Sequence, residues 1–234
     1  MNQSCAAIFG YNEYSKQIIQ KIKGLYHNVG VFVLNDEELI AAQNHGVFAE
    51  KFDLSDNWQA IEDRFNVDAL VVFCALRDDA ENVFLTISLR ATYEHLSIIA
   101  LAKDNESMMK MKSAGANKVM PILQIAASVI SDILAKPIVT EVLHDVLYED
   151  SDLSIMEIEV TNTSPLCGTY LHDTHFKQDF DVILLAVVDH EMGTTFSFAS
   201  HGHNHHIDGG DVLVAIGYKE KLTRLKRWVR GEAS

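Results

Sequence analysis

Three groups of residues in this chain have types and spacings that could do chemistry. The first is Gly10-Tyr11-Asn12-Glu13-Tyr14-Ser15, which follows an apolar run at 6–9 and opens a helical pattern. A dinucleotide cradle reads G-x-G-x-x-G at this place. Its first glycine turns the chain, its second lets backbone touch a pyrophosphate, and its third lets helix and strand pack closely. Here the first glycine is kept, while Asn12 and Ser15 take the other two places. Asn tolerates a positive φ better than most residues, and Ser is nearly as small as Gly. The acid that would hold a ribose belongs at the end of the second strand, where this chain has Asn35 followed by Asp36. Asn still hydrogen-bonds a ribose and a helix N-terminus still attracts phosphate, so these residues alone leave nucleotide binding open.

The second group is the run Ala199 to Asp211, which holds His201, His203, His205 and His206. In an extended segment alternate residues point the same way, so His201, His203 and His205 would converge on one ion. Neutral imidazole suits zinc, nickel or copper, and Asp208 and His190 would complete a shell. A solvated loop is the competing reading. The third group is acidic: Asp145, Glu149, Asp150, Asp152, Glu157 and Glu159. Glu157 and Glu159 lie two apart on one strand and share a face, as oxygen ligands of a hard cation would. Ordinary exposed strand carboxylates explain them as well. Asp78, Asp79 and Asn82 open a helix, with Asp79 placed to cap it. His172 and His175 read as surface residues, and Cys74 as a small buried hydrophobe.

These residues need elements to position them. Strands are expected at 6–9, 29–34, 47–51, 69–75, 97–101 and 118–120, with helices at 14–22, 37–44, 58–64, 79–93 and 106–114. Short Val- and Ile-rich runs alternating with amphipathic helices predict a doubly wound parallel sheet. Next, Ile122, Ile125, Ala126, Val129, Ile130, Ile133 and Leu134 form one apolar stripe. Pro137 breaks it, and Val139, Val142, Leu143 and Val146 start another. The sheet has used its own covering helices, so these stripes need a further surface, most simply a second subunit, with the chain's own C-terminal part as the alternative. After the acidic turn at 149–152, strands at 154–160, 182–189, 194–199 and 211–216, with helices near 171–174 and 220–229, predict a small α+β unit. Asp208-Gly209-Gly210 is a turn signal.

Composition narrows the function. With 234 residues the chain is one large domain or two small ones. A net charge of −14, with basic residues concentrated only near the end, argues against nucleic acid as a partner. Three scattered cysteines without a C-x-x-C spacing predict reduced thiols in a cytosolic protein. No apolar stretch reaches the length of a membrane helix, and the first strand begins too early to leave room for a signal peptide.

The runs DDAENVFLTISLRA (78–91) and MMKMKSAGANKVMPILQIAASVI (108–130) resemble the RCK domain, the regulator of conductance in potassium channels and Trk/Ktr transporters. Gly115-Ala116-Asn117-Lys118-Val119-Met120-Pro121 is similar to the element that closes that family's Rossmann lobe, with one spacer fewer. IMEIEVTNTSPLCGTYLHD and GGDVLVAIGYKEKLTRL resemble the TrkA-C (RCK-C) subdomain. The resemblance implies a Rossmann-like RCK-N lobe at 1–121, crossover and dimerisation helices at 122–150, and an RCK-C lobe at 151–234. It implies a dimer through the helix at 122–134, rings of dimers, and a potassium channel or transporter pore as partner. The protein would then be cytoplasmic, reaching the membrane only through that pore, and would work by ligand-driven change of shape without catalysis. By the same resemblance, nucleotide contacts fall on Gly10, Asn12, Ser15, Asn35, Asp53, Leu76 and Arg77. The ligand implied is a nucleotide (NAD/NADH, ATP/ADP) or a divalent metal ion. Two alternatives stand beside this: a metal sensor working through the histidine run, and a nicotinamide-dependent oxidoreductase.

Overall fold

The computed structural model describes residues 5–55, 58–147, 152–190, 196–198 and 205–232. They fall into two compact units, Met1–Ser131 and Asp132–Ser234.

The first unit alternates strand and helix: β1 (Cys5–Phe9), α1 (Glu13–Ile22), β2 (Asn28–Val33), α2 (Asp36–Asn44), β3 (Ala49–Lys51), α3 (Gln59–Arg64), β4 (Leu70–Cys74), α4 (Asp79–Thr92), β5 (Ser97–Ala102), α5 (Asn105–Ser113) and β6 (Lys118–Pro121). The strands form one parallel sheet in the order β3-β2-β1-β4-β5-β6. The order reverses direction between β1 and β4, and a crevice opens at the carboxyl ends of strands at such a point.

Continuous apolar strands are expected where both faces of a sheet are covered, and β1 shows why. Ala6 and Ile8 pack into one core with Ile19, Val31, Ala42 and Val71, while Ala7 and Phe9 enter another with Phe32, Val72, Leu85 and Leu89. Phe9 is the hub of the second core. Its ring stacks on Phe32 at 5.1 Å and meets Phe52 edge-on at 4.9 Å and Trp58 at 5.9 Å. Gly115, at φ +103, ends α5 as expected. Arg90 donates there to the carbonyl oxygens of Gly115 and Leu96 and to Asn117 Oδ1.

α6 (Ile122–Ala135) follows, and the division between the two units falls inside it. Pro137 interrupts it and becomes the first residue of α7 (Pro137–Leu147), a position where the missing N–H costs nothing. No residue of α6 is buried.

The second unit continues with β7 (Leu153–Glu159), α8 (Phe176–Phe180), β8 (Ile183–Val188), β9 (Phe196–Phe198), β10 (Val212–Tyr218) and α9 (Lys219–Val229). Its sheet is antiparallel, in the order β7-β10-β8-β9. Leu222, Leu225 and Val229 of α9 pack on Ile158, Leu213 and Ala215. The five-residue helix α8 is too short to leave a periodic signal in the sequence. Among the described residues, no helix is long and apolar enough to cross a membrane.

Candidate functional site

The crevice at the β1/β4 switch point is built from the turn after β1. Gly10 has φ +97, and its N–H donates to Phe32 O at 2.7 Å. A Cβ placed on it would lie 2.6 Å from Ala75 O. The glycine is therefore required by the close approach of the β4 end, before any ligand is considered.

Asn12 does not use a positive φ. It is extended (φ −135°, ψ −173°) and caps α1, its Oδ1 accepting from Tyr14 N at 3.0 Å and Ser15 N at 3.2 Å. Its Nδ2 donates to Ala75 O at 2.6 Å, tying α1 to the end of β4. Ser15 completes a reciprocal capping box, its Oγ accepting from Asn12 N at 2.7 Å. Asn35 likewise caps α2, accepting from Glu38 N at 2.9 Å. Asp53 accepts from the N–H and the hydroxyl of Ser55, which together hold its carboxyl below the usual range.

Leu76 is clamped at its backbone by Asn82, a fully buried side chain that accepts from Leu76 N and donates to Leu76 O, both at 2.9 Å. The sequence places Asp79 as the cap of α4; the structure uses Asp78, whose side chain accepts from Ala80 N and Glu81 N. Asp79 instead accepts from Lys103 N at 3.0 Å, a long-range bond that local sequence cannot reveal.

Of the residues expected to contact a nucleotide, Asn12, Leu76 and Arg77 line one cavity of about 520 Å³. Glu13, Asp79 and Lys103 lie at its polar edge, and Leu101, Ala102, Ile122 and Leu123 are among its apolar walls. Ser15 is buried behind the turn, while Asn35 and Asp53 serve their own turns.

Sequence reasoning missed Glu38, Tyr11 and His45. Glu38 is 9% exposed; its Oε2 accepts from Tyr11 N at 3.0 Å, and its Oε1 lies 3.3 Å from Arg77 Nε. The Tyr11 hydroxyl pairs with His45 Nδ1 at 2.8 Å, so both ends of α2 grip the residue after Gly10. Asn35-Asp36-Glu37-Glu38 does read as a capping box, but the box says nothing of a partner 27 residues away. Cys74 is fully buried, and burial pushes its thiol up to about 12.

The expected metal shell does not assemble from the described residues. His201 and His203 lie outside them, as do Glu149 and Asp150. His205 Nε2 pairs with Asp211 Oδ2 at 2.7 Å, because Asp211 is buried and needs donors. Asp211 also accepts from His190 N and Asp208 N. His190 thus contributes its backbone N–H, and the Asp208 carboxylate pairs with His206. Glu157 and Glu159 are exposed on β7, opposite Val214 and Val212. Among the described residues, no three His, Cys, Asp or Glu side chains stand where they could hold one metal ion.

A 3-2-1-4-5-6 sheet with a cleft at its switch point, followed by apolar helices and a small antiparallel unit, defines a two-unit protein of the Rossmann class. Residues 6–121 match the TrkA-N domain and residues 155–230 the TrkA-C domain. The chain belongs to the family of RCK domains of this TrkA-N/TrkA-C type. It is 29% identical over 153 residues to potassium channel protein 1 of Methanocaldococcus jannaschii, covering 65% of this chain and 44% of that protein. It is 23% identical over 234 residues to a probable potassium channel protein 2 of the same organism, covering 95% and 66%. The chain thus spans about half to two thirds of the length of these relatives. The human SLO3 gating ring shares the fold, with a TM-score of 0.67 at 8% identity over 94% of this chain and 45% of that one.

Proposed function

We propose that this chain is a gating module that regulates potassium movement through a membrane pore by changing the shape of an oligomer. The observation that carries the reading is an apolar surface left uncovered on the helices that follow a complete Rossmann lobe. Leu123 is 62% exposed, Leu134 80% and Ile138 75%, and Val129, Ile130 and Ile133 on α6 and Val139 and Val142 on α7 are also exposed. An exposed stripe of this extent marks an interaction face. A second copy of the chain is the occupant proposed here, since one helix presenting the same stripe twice suits a two-fold contact. The residues at 122–150 then act as the dimerising crossover between an RCK-N lobe and an RCK-C lobe.

In this reading the cleft and the pore are two sites coupled through ring geometry, with no bond made or broken. The relatives named as potassium channel proteins support the pore as partner. The module is proposed to sit on the cytoplasmic side of that pore. A metal sensor remains the second reading only through His205 and its neighbours, whose described side chains are already paired with carboxylates.

The test is sedimentation of the intact chain beside Ile130→Asp/Leu134→Asp, with rubidium flux through the full-length product or its pore partner. An oligomer that becomes monomeric in the variant, with loss of regulated flux, is expected. A monomeric wild type, or flux regulated equally in both, would overturn the proposal.

A further inference from the structure

The backbone N–H groups after β1 are where a Rossmann lobe receives phosphate, and in this chain they are engaged by its own side chains. Asn12 N–H goes to Ser15 Oγ, and Tyr14 and Ser15 N–H go to Asn12 Oδ1. Tyr11 N–H goes to the Glu38 carboxylate. The same carboxylate faces Arg77, a cation that lines the cleft together with Lys103. One buried anion therefore takes both a backbone donor and a guanidinium that an incoming phosphate would use.

We infer that Glu38 is a built-in substitute for phosphate and the residue that sets the ligand specificity of this cleft: nucleotides are turned away. The chemistry supports this from three sides. A carboxylate accepting from an N–H and an arginine makes charge-assisted bonds of the kind phosphate makes. Its position is fixed, because α2 holds Tyr11 at both ends, through Glu38 and through His45. The surroundings are acidic as well. Glu13 and Asp79 line the cavity alongside the charges of Arg77 and Lys103, and the Glu81 carboxyl nearby is pushed up by burial and then by Asp78 and Glu38. A polyphosphate entering here would find the backbone donors of the turn after β1 already taken, with Lys103 as a further cation in the cavity wall. What stays open is the cavity walled by Leu76, Leu101, Ala102, Ile122 and Leu123, which suits a small, largely apolar ligand without phosphate. This inference rests on the geometry of the first unit and holds whether or not the chain governs a pore.

The experiment is calorimetric titration of the full chain with ADP, NAD and adenosine, for wild type, Glu38→Gln and Glu38→Ala. Removing the carboxylate frees a donor and an arginine, so ADP and NAD should bind Glu38→Ala about tenfold or more tightly than wild type, the worth of one charged hydrogen bond. Glu38→Gln, which keeps an acceptor for Tyr11 N–H but loses the charge, should gain less. Adenosine should bind all three alike. Adding Arg77→Ala should remove the gain of Glu38→Gln and reduce that of Glu38→Ala, which keeps the freed Tyr11 N–H. Wild type binding ADP as tightly as Glu38→Ala would overturn the inference. So would no gain in either variant, or an equal gain for adenosine. If Glu38→Ala fails to fold by circular dichroism, Glu38→Gln decides: a phosphate-dependent gain supports the inference, and no gain overturns it.

Discussion

Substituting Gly10 by Ala should destabilise the first unit even when no ligand is present. The backbone at Gly10 lies at φ +97, where an L side chain costs about 1–2 kcal/mol. The added Cβ would also meet Ala75 O at 2.6 Å, Ala75 C at 3.0 Å and Leu76 Cα at 3.1 Å. All three are backbone atoms that cannot swing aside. Ala75 N is bonded to Phe9 O at 2.9 Å, Ala75 O accepts from Asn12 Nδ2, and Leu76 is clamped by Asn82. Overpacking of this kind costs about 1–3 kcal/mol, so the sum is about 2–5 kcal/mol. The chain has two tryptophans, and Trp58 is buried against Phe9. Urea unfolding followed by fluorescence in a Trp228→Phe background therefore reports on this unit. The midpoint should fall by about 1–2 M. A loss below about 1 kcal/mol would refute the reasoning and return Gly10 to a ligand role. Gly10→Asp would meet the same backbone atoms, so a loss of ligand binding in that variant would not by itself show a phosphate contact.

Two further outcomes follow from single residues. Arg90 fans its guanidinium across Gly115 O, Tyr93 O, Leu96 O and Asn117 Oδ1. Lys cannot reproduce that fork, so Arg90→Lys should cost about 2–3 kcal/mol in the same unfolding assay, and a change within about 0.5 kcal/mol would count against it. Asp211 in the second unit is pushed up by burial, but the N–H of Asp208, His205 and the N–H of His190 outweigh this and hold its carboxyl below the ordinary value. A depressed carboxyl stabilises above its unfolded pKa and loses that contribution as pH falls through the folded one. Asp211→Asn should therefore lower the melting temperature near neutral pH, with the gap to wild type closing below about pH 4. A gap unchanged down to pH 3 would rule out this role.

The sheet was legible at its centre because β1 and β4 are buried on both faces and so carry unbroken apolar runs. β1 and β4 are read within a residue or two from composition alone. The starts of α1 to α5 and of α9 were read within a residue, with or without a capping side chain, but the cap itself was not always. At Asp78-Asp79 two equivalent candidates stand side by side, and the choice depends on Lys103, 24 residues beyond Asp79. The alternation of histidines did not reveal the partner that His205 takes. The pattern records which side of the segment a ring takes, but not that a buried carboxylate, Asp211, lies on that side. Glu38 was hidden for the same reason: its partners Tyr11 and Arg77 lie on different loops and meet only when β1 sits between β2 and β4.

Taken one at a time, the changes in the glycine motif look like decay. A cradle that had only lost its ligand would leave backbone donors bare, and a bare buried donor is costly. Here each departure supplies an acceptor. Asn12, in place of the second glycine, takes two N–H groups; Ser15, in place of the third, takes another. Asn35, in place of the ribose acid, caps α2, whose first turn presents Glu38 to Tyr11. The side chains close on one another, so restoring a single glycine would strip acceptors from the turn without expelling the Glu38 carboxylate. Access for phosphate turns on Glu38 first, and on the glycines only after it.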